Sequence, residues 1–401
     1  MPALAQLKLA MILNLGGIML LKFSDIKKNT AFILVITITF LSSGLSVAES
    51  ASWLQNLKKE RTEKGWTFDV DDNDVLDIPL SERTGLQLPS DWKEKAVVVI
   101  PKEHYDMPAK FDYRDLAPEG LTSIKNQGNC GSCWAFASAG VFENVIRIRD
   151  GVEKDLSEQY LVSCNTLGYS CNGGWWAHDL HQQYGLVPEE SFPYEASDLS
   201  CKQGLPHEEK ITSWAFVTSQ EDLPSVEALK NALYTYGPLA VTVVATDSFS
   251  AYRGGIFNDC SGGTSVNHAV VLVGWDDSNG EGHWIMRNSW GASWGENGYM
   301  RIKYGCNAIG YAASFVVYAP KCNPQPEANA GSNQTIKKGQ SIKIGTAPII
   351  DQTYGWSPTT GLNDPKSPQP LASPTVDTTY TLTVKTSCGT AINAVKVTVQ
   401  P

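Results

Sequence analysis

The cysteines of this 401-residue chain limit its possible folds more than any other feature. The chain has nine of them, and none occurs before Cys130. Eight could pair, but nine leaves one thiol over, and a leftover thiol in an exported protein needs an explanation. Whether the others form disulfides depends on the compartment, because disulfides persist only where the environment is oxidising.

The N-terminal region has the three parts of a secretory signal peptide. Lys22, Lys27 and Lys28 precede the apolar run Ala31–Leu41, and Ser46–Ala48 fits a cleavage site. The run is too short and too rich in threonine to span a bilayer comfortably, although a single membrane anchor is the alternative. We therefore predict that residues 1–48 are a signal-peptide region and that the protein is secreted, as a free, cell-surface or periplasmic protein.

Composition and periodicity divide the rest of the chain into three regions. Residues 49–106 open with a short amphipathic helix pattern and include a strand-like run, Ala96–Ile100, but they have no convincing core. Residues 107–320 begin with helical patterns, including Val226–Gly237, and continue with strand-like runs, which indicates an α+β domain with segregated layers. Residues 321–401 hold short Thr-, Val- and Ile-rich runs between turns, which indicates a small all-β sandwich.

The charge of the chain argues against one broad class of partner. The formal net charge is −10 at neutral pH. Nucleic-acid binding depends on lysine and arginine that neutralise phosphates, so we expect no nucleic-acid partner.

The segment Gln127–Phe136, QGNCGSCWAF, admits four interpretations of its two cysteines. They could be half of a zinc site, a thioredoxin-like redox pair, one direct disulfide, or a nucleophile beside a structural cysteine. The zinc site is disfavoured because no second C-x-x-C occurs. The last interpretation gains from position, since Cys133 begins an apolar helical pattern whose N-terminal N–H groups stabilise a thiolate. From this segment alone the redox pair and the direct disulfide also remain open.

The same segment, with three later motifs in order, resembles the papain-like cysteine peptidases. The later motifs are SCNGGWW, VNHAVVLVGW and WIMRNSWGASWGENGYMRI, and the resemblance runs from about Pro108 to Ala319. It implies a two-lobed fold with a helical lobe, a β-barrel-like lobe and an active-site cleft between them. It also implies a monomeric thiol protease that acts on polypeptides and needs neither a cofactor nor a metal.

The resemblance assigns a role to each of five residues. Cys133 is expected to attack the scissile carbonyl, and His268 to form an ion pair with it and then act as general acid and base. Asn288 is expected to orient the imidazole by accepting a hydrogen bond from one ring nitrogen. Gln127 is expected to donate its side-chain N–H to the oxyanion, and Trp290 to shield the contact between His268 and Asn288 from water.

The resemblance also implies how the other cysteines pair, and it leaves Cys133 free as a nucleophile. The expected bridges are Cys130–Cys171, Cys164–Cys201 and Cys260–Cys306. Two cysteines then remain for a bridge within the C-terminal module, Cys322 and Cys388.

A substrate cleft is a further implication. Gly173 and Gly174 are expected to offer backbone groups to an extended peptide, which pairs with them like an added strand. The small residue Ala313 is expected at the far end of the pocket that binds P2, the second residue before the cut bond. It predicts a preference for bulky apolar residues at P2. Because no insertion separates Cys164 from the two glycines, we expect an endopeptidase. The expected lining of the P2 pocket is Trp176, Val266, Ala269 and Ala313.

His178 and His181 lie three positions apart on a helical pattern and have two interpretations. They could form a metal pair, but packing or surface roles are favoured.

Residues 49–106 are expected to be an inhibitory propeptide, the protein's own partner, removed just before Met107. They lack the interrupted helix signature usual in the family. The C-terminal region resembles Ig-like or PKD-like modules, with Trp356 in the core and Tyr380 on a late strand. Attachment to a cell surface, carbohydrate binding and a plain spacer role all fit it. Two rivals to proteolysis remain, acyl transfer by the same three side chains and a silent binding protein on a peptidase scaffold.

Overall fold

A computed structural model describes residues 10–13, 19–22, 52–99, 107–115, 120–218, 223–278, 280–319, 326–349, 352–386 and 388–401. The chain divides into two compact units, Met1–Glu60 and Arg61–Pro401. In the first unit, strands β1 (Ala10–Leu13) and β2 (Met19–Lys22) pair antiparallel. The apolar run and cleavage site of the predicted signal peptide lie outside the described residues. Among the described residues, no helix is both long and apolar enough to cross a bilayer.

The region before residue 107 forms short elements. The expected amphipathic helix, α1, spans residues 52–64, and it is followed by β3 (Phe68–Val70), α2 (Leu80–Arg83) and α3 (Trp92–Lys95). The prediction of a strand over Ala96–Ile100 is wrong for the residues of this run that the structure describes. Among them only Val98 forms a β-bridge, and its partner is Phe216. This stretch has a sheet partner at a single position, so its β-branched composition does not produce a regular strand.

The helices of the central region include the one that begins at the candidate nucleophile. That helix, α4 (Cys133–Asp150), is buried over most of its length and packs against a large sheet. It ends as the sequence predicts, because Gly151 takes a left-handed φ of 67° and donates its N–H to the Arg147 carbonyl. The other helices are α5 (Glu158–Cys164), α6 (His178–Gln183), α7 (Val226–Tyr236) and α8 (Asp247–Ser250).

A nine-stranded sheet forms the second layer of this region, with β3 at one edge and the order β3-β7-β10-β9-β8-β6-β11-β5. β4 pairs with β8 off this path. The ladders are antiparallel except the one between β7 and β10. Helices come first and mostly antiparallel strands later, so the α+β prediction is confirmed. The strands are β4 (Lys110–Asp112), β5 (Ser213–Phe216), β6 (Leu239–Val243), β7 (Tyr252–Phe257), β8 (His268–Asp276), β9 (His283–Arg287), β10 (Tyr299–Lys303) and β11 (Tyr311–Val317).

The C-terminal region is all-β, with a separate core. One sheet has the order β12-β17-β16-β14, and β13 pairs with β15 in a second. Trp356 and Tyr380 are buried in this core and donate hydrogen bonds to the carbonyls of Ser367 and Thr360. The strands are β12 (Gln334–Lys337), β13 (Ile342–Lys343), β14 (Thr353–Ser357), β15 (Leu371–Ala372), β16 (Thr378–Thr386) and β17 (Gly389–Gln400).

Three of the expected disulfides are present, and Cys133 is free and buried. Cys388 is also disulfide-bonded, while its expected partner, Cys322, lies outside the described residues. The bonded pairs are Cys130–Cys171, Cys164–Cys201 and Cys260–Cys306.

Candidate active site

Cys133 occupies the first position of α4, with Ser132 at the N-cap. Its side chain is completely buried. Burial raises the pKa of the thiol to about 11, and the nearby backbone N–H groups of residues 85, 133, 134 and 269 act in the opposite direction because they favour a negative charge on the sulfur. In this covered state Cys133 is therefore a neutral thiol, although the start of the helix is suited to a thiolate.

His268 and Asn288 meet at the neighbouring edge of the sheet. His268 begins β8, and its Nε2 lies 2.8 Å from Asn288 Oδ1. Asn288 Oδ1 also accepts the Ser289 N–H, at 2.9 Å, so Nε2 is the donor and Nδ1 carries the free lone pair. Nδ1 has no hydrogen-bond partner among the described residues, and the backbone N–H of the next residue, Ala269, acts on the Cys133 sulfur by favouring the thiolate. The unprotonated ring nitrogen, Nδ1, is thus the one that can accept the proton of the Cys133 thiol.

Trp290 covers this pair. Its ring stacks on the His268 ring with centroids 4.7 Å apart and an angle of 29° between the planes. Trp290 is buried. Burial lowers the pKa of His268 to about 4, the hydrogen bond that His268 donates to Asn288 opposes this effect, and the positive charge of Arg83 reinforces it. The imidazole is consequently neutral beside a neutral thiol.

Gln127 is held on both sides of its amide. Nε2 donates to the Cys130 carbonyl at 2.8 Å, and Oε1 accepts the Ser289 hydroxyl at 2.7 Å. One Nε2 hydrogen is used in this way, and the second remains for another acceptor. Ser289 was missed by the sequence reasoning, although its place directly after Asn288 was the signal that could have found it.

Residues 83–87, which we call the crossing segment, lie over the thiol. The Gly85 carbonyl accepts the Gly174 N–H at 2.9 Å, and the Gln87 N–H donates to the Gly174 carbonyl at 2.8 Å. Leu86 is therefore bridged to Gly174 in parallel register. A Cβ on Gly85 would lie 1.8 Å from the Gly131 carbonyl oxygen, so only glycine fits there. The glycine predicted to pair with an extended peptide pairs here with the protein's own chain.

The residues expected to line the P2 pocket are only partly brought together. Trp176, Ala269 and the half-buried Val266 belong to one apolar cluster that also contains Leu86 of the crossing segment. Ala313 is completely buried but lies outside this cluster, whereas the neighbouring Ala312 belongs to it and accepts the Trp176 indole N–H. Gly173, the other expected cleft glycine, has a φ of 126°.

His178 and His181 are both buried in α6. His178 Nε2 lies 3.1 Å from the Ser314 hydroxyl, and the His181 ring packs 5.3 Å from the Phe142 ring. Burial lowers their pKa values to about 3 and about 4. No group of three potential metal ligands occurs among the described residues, and these contacts are those of packed side chains.

A buried charge cluster lies next to the site, and no sequence pattern predicted it. Lys125 Nζ contacts Glu143 at 2.6 Å, Glu158 at 2.9 Å and Asp155 at 2.6 Å. Glu143 and Glu158 are buried, and burial raises the pKa of Glu158 to about 8 against the attraction of Lys125. Because Gln127 follows Lys125 by two residues, this cluster fixes the position of the segment that carries the Gln127 side-chain amide.

Known proteins resemble this chain over the region just described. Residues 107–319 match the family model of papain family cysteine proteases. Fruit bromelain of Ananas comosus is 34% identical over 288 residues, which cover 69% of this chain and 78% of the relative. A viral cathepsin of a Cydia pomonella granulosis virus is 34% identical over 301 residues, covering 70% and 88%. A digestive procathepsin L2 proteinase from Tenebrio molitor larval midgut has a TM-score of 0.59 at 29% identity, covering 67% and 90%.

Proposed function

Because the chain belongs to the papain family of cysteine proteases, we propose that it is a secreted endopeptidase made as a zymogen, with Cys133 as nucleophile. The observation that carries the proposal is the free Cys133 thiol at the start of α4, next to an imidazole held by Asn288 at 2.8 Å. Zymogen status is supported by the crossing segment, which occupies Gly174 and the sulfur at once.

The first chemical step requires removal of the crossing segment. Water then reaches the site, the burial that opposes charge is relieved, and the proton moves from the Cys133 sulfur to His268 Nδ1. The thiolate attacks the scissile carbonyl carbon. The oxyanion receives hydrogen bonds from the Gln127 amide and the Cys133 backbone N–H.

In the remaining steps His268 transfers two protons in turn, first the thiol proton to the leaving amine and then a proton from water to the sulfur. The imidazolium protonates the leaving amine as the C–N bond breaks, which leaves a thioester on Cys133. His268 next takes a proton from water, and the hydroxide attacks the thioester. Collapse returns the proton to sulfur and releases the carboxylic acid. Asn288 keeps the imidazole in the tautomer that both transfers require.

The preferred substrate is a polypeptide with a bulky apolar residue at P2. Leu86 supports this choice, because the crossing segment places a leucine beside Gly174 within the cluster of Trp176 and Ala269. A P2 peptide library should favour Leu, Val or Phe over Arg, and a preference for Arg would refute the assignment.

The central experiment is cleavage of a fluorogenic Leu-P2 peptide, with and without thiol reductant, by the processed protein and its Cys133→Ala variant. Activity that depends on Cys133 is expected, and equal activity in the variant would end the proposal. An added amine acceptor separates the rival acyl transfer, which would give amide product in place of acid. A binding protein would retain the peptide without cutting it.

Maturation and export are tested separately. If processing before Met107 is autocatalytic, the Cys133→Ala protein should stay uncut, whereas normal processing of that variant would assign the cut to another protease. N-terminal sequencing of the exported zymogen, before the cut at Met107, tests cleavage after Ala48.

A further inference from the structure

An indole from the N-terminal region fills an aromatic pocket beside the cleft. Trp92, the first residue of α3, is only 5% exposed. Its ring centroid lies 4.9 Å from that of Phe216, 5.6 Å from Tyr311 and 6.3 Å from Trp175. These separations are those of favourable aromatic pairs, so the pocket fits a ring closely.

The pocket lies on one side of the thiol. The Gly85 backbone acts on the pKa of Cys133, Leu86 is bridged to Gly174, and the chain then continues to Trp92. In the opposite chain direction, Arg83 contacts Trp290. Trp175 directly follows Gly174, so the pocket adjoins the position at which an extended peptide would present P2. It therefore lies on the side of the cleft that holds residues before the cut bond.

The walls of the pocket do not depend on Trp92 for their position. Phe216 is paired with Ser314 in the sheet, and Tyr311 is paired with Thr242. Trp175 packs on Trp176, with ring centroids 4.8 Å apart. When the N-terminal region leaves, three aromatic side chains on fixed supports thus lose their cover, and a contiguous apolar surface of this kind marks a binding site.

We propose that Trp175, Phe216 and Tyr311 form an aromatic subsite of the mature enzyme, which takes a Trp, Tyr or Phe side chain of the substrate upstream of P2. Trp92 is the occupant of this subsite in the zymogen. The proposal rests on the proposed endopeptidase function and extends it to a specificity determinant beyond the P2 pocket. It also gives the short N-terminal region a second anchor, separate from the crossing segment.

The test uses processed enzyme and internally quenched peptides with Leu at P2, in which one Trp replaces Ala at P3, P4 or P5 in turn. Two favourable ring pairs correspond to a gain of about tenfold in kcat/KM at one of these positions. The Phe216→Leu variant should lose most of this Trp-to-Ala ratio. The Tyr236→Leu variant removes an aromatic ring that stacks on Phe315 elsewhere, and it should keep the ratio.

Two results would overturn the subsite. Trp could give no gain at any of the three positions, or Phe216→Leu could leave the ratio intact. Failure of the proposed function looks different, because the all-Ala parent with Leu at P2 would then not be cut at all.

A second measurement needs no turnover. In the zymogen, Trp92→Ala should speed alkylation of Cys133 by about tenfold by weakening the anchor, and Trp92→Phe should restore most of the protection. Equal alkylation rates in the wild type and Trp92→Ala would contradict the proposal even if no peptide is hydrolysed.

Discussion

The carbonyl oxygen of Arg83 accepts a hydrogen bond of 3.1 Å from the indole N–H of Trp290, while the Arg83 guanidinium lies 5.4 Å from the centre of the ring. Trp290 in turn stacks on His268, the proposed general base. Arg83 is 4% exposed, and burial lowers its pKa to about 10, against the attraction of Asp247, so it remains a cation at neutral pH. A cation of the crossing segment thus lies close enough to disfavour the imidazolium.

We expect Arg83→Met to loosen the zymogen. The change removes a cation–π contact of about 0.5–2 kcal/mol, which corresponds to a roughly 2- to 30-fold faster alkylation of Cys133. It should also raise the pKa of His268, measurable by NMR, because a neighbouring positive charge is lost. Lys95→Met is the matched control, since Lys95 is an exposed cation paired with Asp91. Equal acceleration by both variants would refute a specific role for Arg83.

The reactivity of Cys133 should depend on pH differently before and after processing. In the zymogen burial raises the pKa of Cys133 to about 11 and lowers that of His268 to about 4, so both groups are neutral between these limits. Alkylation of the zymogen should therefore rise up to strongly alkaline pH, without a plateau near neutrality. The processed enzyme should react fast at neutral pH. Superimposable profiles would show that the crossing segment does not control the ionisation.

Ser289→Ala should weaken catalysis through Gln127. Loss of one oxyanion donor costs about 100- to 1000-fold in kcat, which is the effect expected for Gln127→Ala. Ser289→Ala should cost less, because it removes only the 2.7 Å bond that orients the amide. The double variant should be no worse than Gln127→Ala alone, with Cys133 alkylation unchanged throughout. Fully additive losses would mean that Ser289 acts independently.

Acid should destabilise the fold through His181. Burial lowers its pKa to about 4, whereas the unfolded chain takes up this proton near the ordinary value of 6.5. The contribution of His181 to the free energy of unfolding is therefore fully present above pH 6.5. It falls as the pH decreases towards 4, and the loss is about 2 kcal/mol at about pH 5.

In the Cys133→Ala background, His181→Phe should reduce the difference in unfolding free energy between neutral pH and about pH 5 by that amount, as measured by urea denaturation. His207→Phe is the control, because His207 is exposed. An unchanged difference in His181→Phe would contradict the assignment.

Lys125→Met should be among the most destabilising single changes. It leaves Glu143 and Glu158 buried without their cation, and breaking such a pair costs about 3–5 kcal/mol. Glu158→Gln should cost far less, because burial raises the pKa of Glu158 to about 8 and its protonated form resembles the amide. Urea denaturation of both variants, again without the active thiol, measures the contrast. Similar losses would show that Lys125 is not the stabilising member.

The features that the sequence predicted well are local or carried by contiguous motifs. The helix stop at Gly151 and the position of Cys133 at a helix start follow from neighbouring residues, and the resemblance supplied His268 and Asn288. The contacts of Lys125 with Glu143 and Glu158 span 18 and 33 positions, so no local pattern announces them.

The sequence did not predict the crossing segment either, for a different reason. Gly85 and Leu86 carry no periodic pattern, and their conformation is set by contacts with Gly174 and Asn267 far along the chain. Composition likewise gave no sign that Trp92 packs against Phe216 and Tyr311. The resemblance predicts an inhibitory segment somewhere within residues 49–106, but only the three-dimensional structure identifies the residues that lie over the thiol.

Mutation cannot replace Gly85 by another residue without a steric clash. A Cβ at this position would lie 1.8 Å from the Gly131 carbonyl oxygen, and every single-base missense change in a glycine codon introduces a Cβ. If the crossing segment restrains the protease as we propose, any such change at position 85 should displace this segment from its place over Cys133. Position 85 should therefore tolerate no substitution, even though it takes no part in cutting any substrate.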